Sequence, residues 1–318
     1  MWEGSVTNAA RVFGTKRFGN EVKMKILLTG GSGFVGRNLR EYLVCRGYDV
    51  YAPSSKELDC MDEDKVRQCL QKGQYDQILH FAVYSDNSGQ TKDSTKVLEA
   101  NLRIFQNFSR HADLFGRMIY TGSGAEYDKR NPIMSVTEED LGRHMLPSDQ
   151  YGLAKYTATQ MIERSDNIYN LRLFGIFGKY EYWKTKYISN LCCKSLKGLP
   201  LSLRQNCYFD YLWIDDFCRL VERFMHLESP AYHVYNAVSG IRVSLYDLAK
   251  IVNDVAGVNR EIIVCKEGLA NEYTANNDRI RRELPEWTLT DMRDAVQELY
   301  EWYKAHIDEI DMYSLIYS

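Results

Sequence analysis

A run of glycines directly after the first apolar segment constrains the fold more than any other feature of this sequence. Residues 25–29 form a short apolar segment, and the glycine-rich run Thr29-Gly-Gly-Ser-Gly-Phe-Val-Gly36 begins at its last residue. The run contains both the GxxGxxG and the GxGxxG spacing. Apolar residues then recur at helical intervals, at Val35, Leu39, Leu43 and Val44. The pattern predicts a strand, a tight turn and an amphipathic helix, in that order.

This turn has what a dinucleotide phosphate needs. Glycines let the chain turn sharply and let a pyrophosphate approach bare backbone, and the helix N-terminus offers N–H donors and partial positive charge. The residues predicted to contact the cofactor here are Gly30, Gly31, Ser32, Gly33, Phe34, Val35, Gly36 and Arg37. A glycine-rich turn without a ligand is the alternative. A phosphate-loop NTPase is excluded, because Arg37 and Asn38 replace the required lysine and hydroxyl residue.

The residues that close the second predicted strand bear on the choice between NAD and NADP. A carboxylate there would accept hydrogen bonds from the ribose hydroxyls and repel a 2′-phosphate. The strand leaves through Ser54, Ser55 and Lys56 with no acid at its end, so NADP is favoured and NAD is the alternative. Lys56 could instead be a solvated loop charge. Asp59 could accept from the adenine amino group or simply cap a turn.

Strand and helix patterns alternate through the first half of the chain. Strands are predicted at 25–29, 48–52, 75–82, 117–121 and 168–174. Such alternation predicts a doubly wound parallel sheet, a Rossmann α/β fold with both faces covered by helices. We expect a loose extension at 1–23, the Rossmann domain at 24–178 and a smaller mixed α/β substrate lobe at 179–318, from which elements of 209–237 could return to the first sheet.

Composition excludes several classes of protein. Forty Lys plus Arg against forty-three Asp plus Glu leave a net charge of −3, which argues against nucleic acid as a partner. No apolar run reaches the ~20 residues of a membrane helix, and residues 1–23 lack the apolar stretch of a secretory signal. The eight cysteines form no CxxC pair and the histidines no metal-binding spacing, so we expect reduced thiols, no metal and a cytoplasmic location.

A tyrosine and a lysine one helical turn apart are the strongest catalytic candidates. Five YxxxK matches occur, at Tyr151/Lys155, Tyr180/Lys184, Tyr182/Lys186, Tyr246/Lys250 and Tyr300/Lys304. Only Tyr151 begins a predicted helix after the glycine-rich half and follows a hydroxyl cluster, Thr121-Gly-Ser123, at the end of a parallel strand. Ligands and catalytic groups collect at such strand ends.

The chemistry of this set is acid–base catalysis. One helical turn brings the ammonium of Lys155 beside the phenol of Tyr151. The cation and an oxidised nicotinamide are expected to lower the phenol pKa below about 10, so that it exchanges a proton near neutral pH. Ser123 would hydrogen-bond the reacting oxygen. An ordinary helix N-terminus with a surface lysine is the alternative.

Together these motifs resemble the extended short-chain dehydrogenase/reductase family. The resemblance runs from residue 24 to about 304 and rests on TGGSGFVG, HFA at 80–82, Asn101, Ser123, YGLAK, LRLFGIFG at 171–178, FDYLWIDDF at 209–217 and YNAVSGIRVSLYDLAKIV at 235–252. It implies a cofactor in the N-terminal half, also contacted by Phe81, Ala82 and Thr121, and a nucleotide-diphosphate sugar in the C-terminal lobe. It implies that Asn101 organises a water and Lys155. A homodimer through helices near 97–112 and 151–163 is also implied.

The residues after Ser123 separate the reactions of this family. Sugar-nucleotide 4,6-dehydratases carry an Asp-Glu pair where this chain has Gly124 and Ala125, so dehydration is not expected. GDP-fucose synthases resemble the chain in layout, but Ala125 aligns with their cysteine and Lys186 lies near their histidine. The leading hypothesis is NADP-dependent reduction of a nucleotide-linked 4-keto-deoxy sugar. An NAD-dependent 4-epimerase and a non-catalytic cofactor-sensing or assembly protein are the alternatives.

One departure from the family pattern concerns the substrate. Family members commonly have an arginine that meets the substrate diphosphate where this chain has Phe209. Phosphate binding favours an arginine fork. The cations that could substitute are Lys179, Arg204, Arg242 and Arg279.

Overall fold

The computed structural model describes residues 24–84, 93–143 and 145–316. The extension predicted at 1–23 lies outside the described residues. The strands are β1 (Lys25–Thr29), β2 (Asp49–Tyr51), β3 (Gln77–His80), β4 (Arg117–Ser123), β5 (Ile133–Val136), β6 (Ile168–Leu173), β7 (Gly175–Phe177), β8 (Leu201–Asn206), β9 (Tyr208–Trp213), β10 (Val234–Asn236), β11 (Arg242–Ser244), β12 (Ile262–Leu269) and β13 (Tyr273–Ala275). The α-helices are α1 (Phe34–Cys45), α2 (Glu63–Gly73), α3 (Val97–Ser109), α4 (Gln150–Ile162), α5 (Tyr187–Leu196), α6 (Ile214–Met225), α7 (Leu245–Ala256), α8 (Asp278–Glu283), α9 (Met292–Ala305) and α10 (Met312–Ile316).

Six parallel strands form the central sheet, in the order β10-β6-β4-β3-β1-β2. Alternate residues of a strand point to opposite faces of a sheet. Ile26 and Leu28 accordingly pack in one apolar cluster with residues of α1 and α6, while Leu27 packs in another with residues of α2, α3 and α4. Helices therefore cover both faces, and the predicted doubly wound Rossmann fold is confirmed.

The second half of the chain adds smaller sheets and also returns to the first one. Strands β11, β9, β13 and β5 form a second sheet in that order, with β7 beside β9, and β8 pairs with β12. Strand β10 pairs with β6 through Val234 and Asn170, so this element completes the central sheet. Strand β13 is parallel to both β5 and β9. The hydroxyl of Tyr273, on β13 of this second sheet, lies against Gly124, just past the carboxyl end of β4. Within the described ranges, no helix is long and apolar enough to cross a membrane.

Candidate active site

The glycine turn joins β1 to α1 in a conformation that larger residues would disturb. Gly30 has a φ of +74°, and a Cβ there would lie 2.6 Å from the main-chain carbonyl carbon of Phe81. A Cβ at Gly36 would overlap the carbonyl oxygen of Gly30. Gly30 therefore allows the turn to pass directly over the end of β3, and Gly36 allows α1 to begin against the turn.

The start of α1 is suited to an anion. Gly33 is the N-cap residue, no side chain caps the helix, and its first turn contains no acidic residue. Ser32 and Gly33 are exposed, so this end of α1 is open to solvent. Helix N-termini of this kind bind phosphate through backbone N–H groups and the helix dipole. The residues present thus fit the pyrophosphate of a dinucleotide.

The loop after β2 differs from its sequence interpretation. No acid was expected at this position, but Oε2 of Glu57 accepts hydrogen bonds from both the backbone N–H and the hydroxyl of Ser54, each at 2.8 Å. These bonds lower the pKa of the Glu57 carboxyl. Ser55 and Lys56 are exposed in the same loop. The loop therefore holds Lys56 next to a glutamate whose carboxylate folds back onto Ser54, three positions earlier in the chain.

Two further residues proposed for the cofactor have local partners. Arg37 lies with its guanidinium carbon 3.6 Å from the ring centroid of Tyr180 and its Nε 3.3 Å from Glu41. Oδ1 of Asp59 accepts from the N–H of Met61 at 2.9 Å, so this carboxylate caps a turn.

Lys155 is almost completely buried beneath the carboxyl end of β4. Its Nζ donates to the main-chain carbonyl of Thr121 at 2.6 Å and lies 4.2 Å from the ring centroid of Tyr120. Burial lowers the pKa of Lys155 to about 8. The ammonium is held by β4 itself, at 5.8 Å from the ring centroid of Tyr151.

Tyr151, at the start of α4, lies beside Ser123, at the end of β4. Burial raises the pKa of the Tyr151 phenol to about 12, and the neighbouring Ser123 side chain opposes this rise. The lowering expected from Lys155 together with an oxidised nicotinamide stays a prediction, because it includes the bound cofactor. Tyr151 is consequently protonated at neutral pH, as a proton donor must be.

Ser123 begins a short turn whose geometry depends on a buried acid. Its N–H donates to Oε1 of Glu126 at 2.9 Å, and its Oγ accepts from the N–H of Ala125 at 3.2 Å. Oε2 of Glu126 in turn accepts from Nε of Arg172 at 2.8 Å, with neither side chain exposed to solvent. Thr159 of α4 donates to the same oxygen of Glu126. The Ser123 turn and α4 are thus joined by one buried acid.

Sequence reasoning missed Glu126 and Arg172 as site residues. The available signal was the presence of opposite charges beside apolar strand residues, in AEY at 125–127 and LRL at 171–173. Unpaired charges are rarely buried, so each predicts a partner without identifying it.

Other candidates lie at the edge of the site. Oδ1 of Asn101 accepts from the N–H of Tyr84 at 2.9 Å, and its Nδ2 donates to the carbonyl of Tyr84 at 2.8 Å. The same Nδ2 also donates to the carbonyl of Val97. Asn101 therefore holds the segment after β3. Ala82 in that segment donates to Oγ1 of Thr29 at 3.2 Å, and Phe81 is buried against the glycine turn.

The cations proposed for the substrate fall in different places. Lys186 lines a cavity of about 180 Å³ together with Phe174, Glu181, Tyr211 and Phe209. Nζ of Lys179 pairs with Glu41 at 3.3 Å.

The three arginines proposed as substitutes lie elsewhere. Arg279 pairs with Glu139 and donates to the carbonyl of Val234 at 3.0 Å. Arg242 stacks on Tyr208 and pairs with Glu272, and Arg204 is exposed on β8. Of the five cations proposed for the substrate, Lys186 alone lines the same cavity as Phe209.

The doubly wound sheet, the glycine turn and the Ser123, Tyr151 and Lys155 set define an NAD(P)-dependent oxidoreductase of the extended short-chain dehydrogenase/reductase class. The chain belongs to the NAD dependent epimerase/dehydratase family, whose model matches residues 26–237.

Similar proteins act on nucleotide sugars. GDP-L-colitose synthase from Yersinia pseudotuberculosis is 24% identical over 227 residues, 68% of this chain and 72% of that protein. GDP-mannoheptose C4 reductase from Campylobacter jejuni, solved with NADP bound, has a TM-score of 0.75 at 19% identity and covers 90% of this chain and 100% of its own. A GDP-L-fucose synthetase from Naegleria fowleri has a TM-score of 0.77 at 17% identity, over 90% of this chain and 94% of its own. Structures with NADP or NAD bound occur among the matches.

Proposed function

We propose that this protein reduces the 4-keto group of a nucleotide-linked deoxy sugar with NADPH. The observation that carries the proposal is the buried Lys155 bonded to Thr121 at the end of β4, with the side chains of Ser123 and Tyr151 beside each other at the same strand end. When bound, the nicotinamide supplies a hydride to the carbonyl carbon. Tyr151 donates its proton to the carbonyl oxygen, and Ser123 holds that oxygen by a hydrogen bond. The positive charge of Lys155 stabilises the phenolate that Tyr151 leaves behind.

Filled space beside Ser123 supports reduction over dehydration. Elimination of water needs an additional acid and base, which dehydratases carry just after the hydroxyl residue. Here a Cβ at Gly124 would overlap the hydroxyl of Tyr273 and lie 2.7 Å from Cδ1 of Phe174. Ala125 is buried, and its carbonyl lies where a Cβ of Gly152 would be. An acidic side chain at 124 therefore has no room, and the buried residue at 125 is an alanine, which carries no acid.

The test is turnover with defined substrates. The full chain is incubated with NADPH and either GDP-4-keto-6-deoxymannose or dTDP-4-keto-6-deoxyglucose, and loss of NADPH absorbance is followed with product analysis. We expect turnover of at least one of them and a ~10²–10⁴-fold loss of kcat in Tyr151→Phe. Tyr156→Phe, one turn further along α4, is the matched control and should stay active. Absence of turnover on every 4-keto sugar nucleotide would overturn the proposal.

A specific observation favours a second candidate, an NAD-dependent 4-epimerase of nucleotide sugars. The carboxylate of Glu57 accepts two hydrogen bonds from Ser54 in the loop after β2. Negative charge at this position disfavours the 2′-phosphate of NADP. A 4-epimerase would retain NAD through purification and interconvert UDP-glucose and UDP-galactose without added cofactor. Identifying the nucleotide released from denatured protein separates the two candidates.

We also propose a homodimer formed through α3 and α4. These helices pack side by side, and Phe105 of α3 and Met161 of α4 line one surface depression between them. Two such pairs would form a four-helix interface. Light scattering after size-exclusion chromatography measures the mass, and a mass of one chain would contradict this assembly.

A further inference from the structure

The two elements that carry the proposed catalytic residues are joined at a buried point. Tyr151 and Lys155 lie on α4, whereas Ser123 ends β4. Thr159 follows Lys155 by one helical turn and is fully buried. Its hydroxyl donates to Oε2 of Glu126 at 2.8 Å, and Oε1 of Glu126 accepts from the N–H of Ser123 at 2.9 Å. A path of two hydrogen bonds therefore runs from α4 to the main chain of Ser123.

The direction of these bonds follows from the groups around them. Nδ2 of Asn170, an amide donor, lies 2.7 Å from the hydroxyl oxygen of Thr159. The single proton of that hydroxyl is therefore left for Glu126. Glu126 also accepts from Arg172 and from Asn170, at 2.8 and 3.3 Å, so each of its oxygens has two donors, Ser123 included. Surrounded by donors, the acid acts as a carboxylate that only accepts.

The turn at Ser123 is a capping box that depends on the same carboxylate. Ser123 is the N-cap residue of a short 3₁₀ turn, and Glu126 is the third residue of that turn. The N–H of Ser123 donates to Glu126, while its Oγ accepts from the N–H of Ala125 at 3.2 Å. These two bonds hold the main chain and the side chain of Ser123 together. The bond from Ala125 uses a lone pair, so the Ser123 proton stays available for an oxygen bound beside it.

From this arrangement we infer that Thr159 is a positioning residue, which fixes Ser123 relative to Tyr151 by holding Glu126 against α4. The inference deepens the proposed reduction and rests on it. Arg172 ties Glu126 to β6 within the sheet, whereas Thr159 ties it to the helix that carries Tyr151. Ser123 and Tyr151 must meet the same carbonyl oxygen, and a displacement of about 1 Å is enough to slow such a reaction by up to ~10²-fold.

A second bond between α4 and β4 ends before it reaches Ser123. Nζ of Lys155 donates to the carbonyl of Thr121, two residues earlier in the strand. Gly122 lies between them, and a Cβ there would overlap Oε1 of Glu126 at 2.3 Å. The carboxylate thus lies directly against the last turn of β4 toward Ser123. Removing its link to α4 should loosen Ser123 while Lys155 stays bound to the strand.

Thr159→Val tests the inference, because it removes the hydroxyl and keeps the branched shape and the buried ion pair. We expect kcat per folded molecule to fall about 10-fold, with KM and the Kd for NADPH unchanged. Thr159→Ser keeps a hydroxyl and should recover kcat. Thr157→Val is the matched control, since the Thr157 hydroxyl donates to the carbonyl of Leu153 within α4 at 2.9 Å. An unchanged kcat in Thr159→Val, or an equal loss in Thr157→Val, would overturn the inference.

A Ser123→Ala background shows whether Thr159 acts through Ser123. In that background Thr159→Val should cause no further loss of kcat, because the residue through which it acts has lost its hydroxyl. Thr159→Ala, a second variant without the hydroxyl and with a smaller side chain, should behave in the same way. A loss by the same factor with and without Ser123 would show general support of α4 and reject the inference.

A further measurement needs no substrate and so separates this inference from the proposed function. The protein is labelled with ¹⁵N-serine, and the Ser123 amide resonance is assigned by its loss in Ser123→Ala. We expect this resonance to shift in Thr159→Val and to keep its position in Thr157→Val. An unmoved resonance in Thr159→Val contradicts the inference. A shifted resonance in a protein that reduces no sugar supports the link from α4 to Ser123 and rejects only the proposed function.

Discussion

Nε of Arg172 donates to the carboxylate of Glu126 at 2.8 Å in a pair with no solvent exposure on either side. Nη1 of Arg172 also bonds Tyr127 and Asn236, at 2.9 and 3.0 Å. The pair connects the Ser123 turn to β6 and, through Asn236, to β10. Three neighbouring strands of the central sheet, β4, β6 and β10, are therefore linked behind the proposed reaction centre by one ion pair and its hydrogen bonds.

Breaking this pair should destabilise the protein strongly. Glu126→Gln leaves Arg172 buried without its counter-charge, and we expect the free energy of unfolding to fall by about 3–5 kcal/mol. Urea denaturation measures it. Asp64→Asn, which removes half of the exposed Arg67–Asp64 pair, is the control and should cost about 1 kcal/mol or less. Similar losses in the two variants would contradict a special role for the buried pair.

Two glycines with similar backbone angles separate conformational strain from close approach. Gly47 has a φ of +85°, and no atom of the described residues lies within 4 Å of where its Cβ would be, so Gly47→Ala should cost about 1–2 kcal/mol of stability from strain alone. Gly30→Ala adds the contact with Phe81, and we expect about 1–3 kcal/mol more, together with loss of NADPH binding. Urea denaturation and fluorescence titration with NADPH check the two effects. Normal NADPH binding in Gly30→Ala would speak against the predicted phosphate turn.

The buried lysine should set the alkaline limit of activity. Burial lowers the pKa of Lys155 to about 8, whereas Tyr151, with a pKa of about 12, keeps its proton across the neutral range. Lys155 is charged below pH 8 and neutral above it, so kcat/KM should be high below pH 8 and fall as the pH rises through that value. In Lys155→Met the rate should be low, without that fall. Persistence of the same limb in Lys155→Met would assign it to another group.

The carboxylate on the β2 loop should weaken NADPH binding. Glu57→Gln removes a negative charge beside Ser54, and we expect the Kd for NADPH to drop about 3–10-fold at low salt, with little change for NADH. Glu63→Gln, which changes a half-buried acid at the start of α2 that pairs with Arg110, is the control. Calorimetric titration with both nucleotides measures the preference. An equal change for NADH and NADPH would show that Glu57 does not discriminate the 2′-phosphate.

The cation beside Phe209 should bind the substrate phosphates. Lys186→Met is expected to raise the KM for a nucleotide sugar about 10-fold with a smaller effect on kcat, as for the loss of a charged hydrogen bond. Lys184→Met is the matched control, because Lys184 lies two residues away with its Nζ 5.4 Å from the ring of Trp183. Steady-state kinetics separate KM from kcat. Equal effects of the two variants would indicate a general charge effect.

Local sequence patterns were sufficient for the central fold. The strands predicted at 25–29 and 168–174 are observed as Lys25–Thr29 and Ile168–Leu173, and the turn between β1 and α1 has the expected glycine geometry. These features depend on residues within one strand, turn or helix, where apolar spacing and backbone freedom act over short distances. Strand β12 was missed because its residues are mostly exposed and show no apolar alternation.

The sequence by itself determined the doubly wound sheet, the phosphate turn and the presence of a hydroxyl, a phenol and a lysine near one strand end. Tertiary structure alone decided the partner of Arg172, the approach of Tyr273 to Gly124 and the burial that raises the pKa of Tyr151 beside Ser123. The residues in each of these relationships are 28 to 149 positions apart along the chain. Burial and pairing at such separations arise from how whole sheets pack, and no spacing rule along the sequence encodes them.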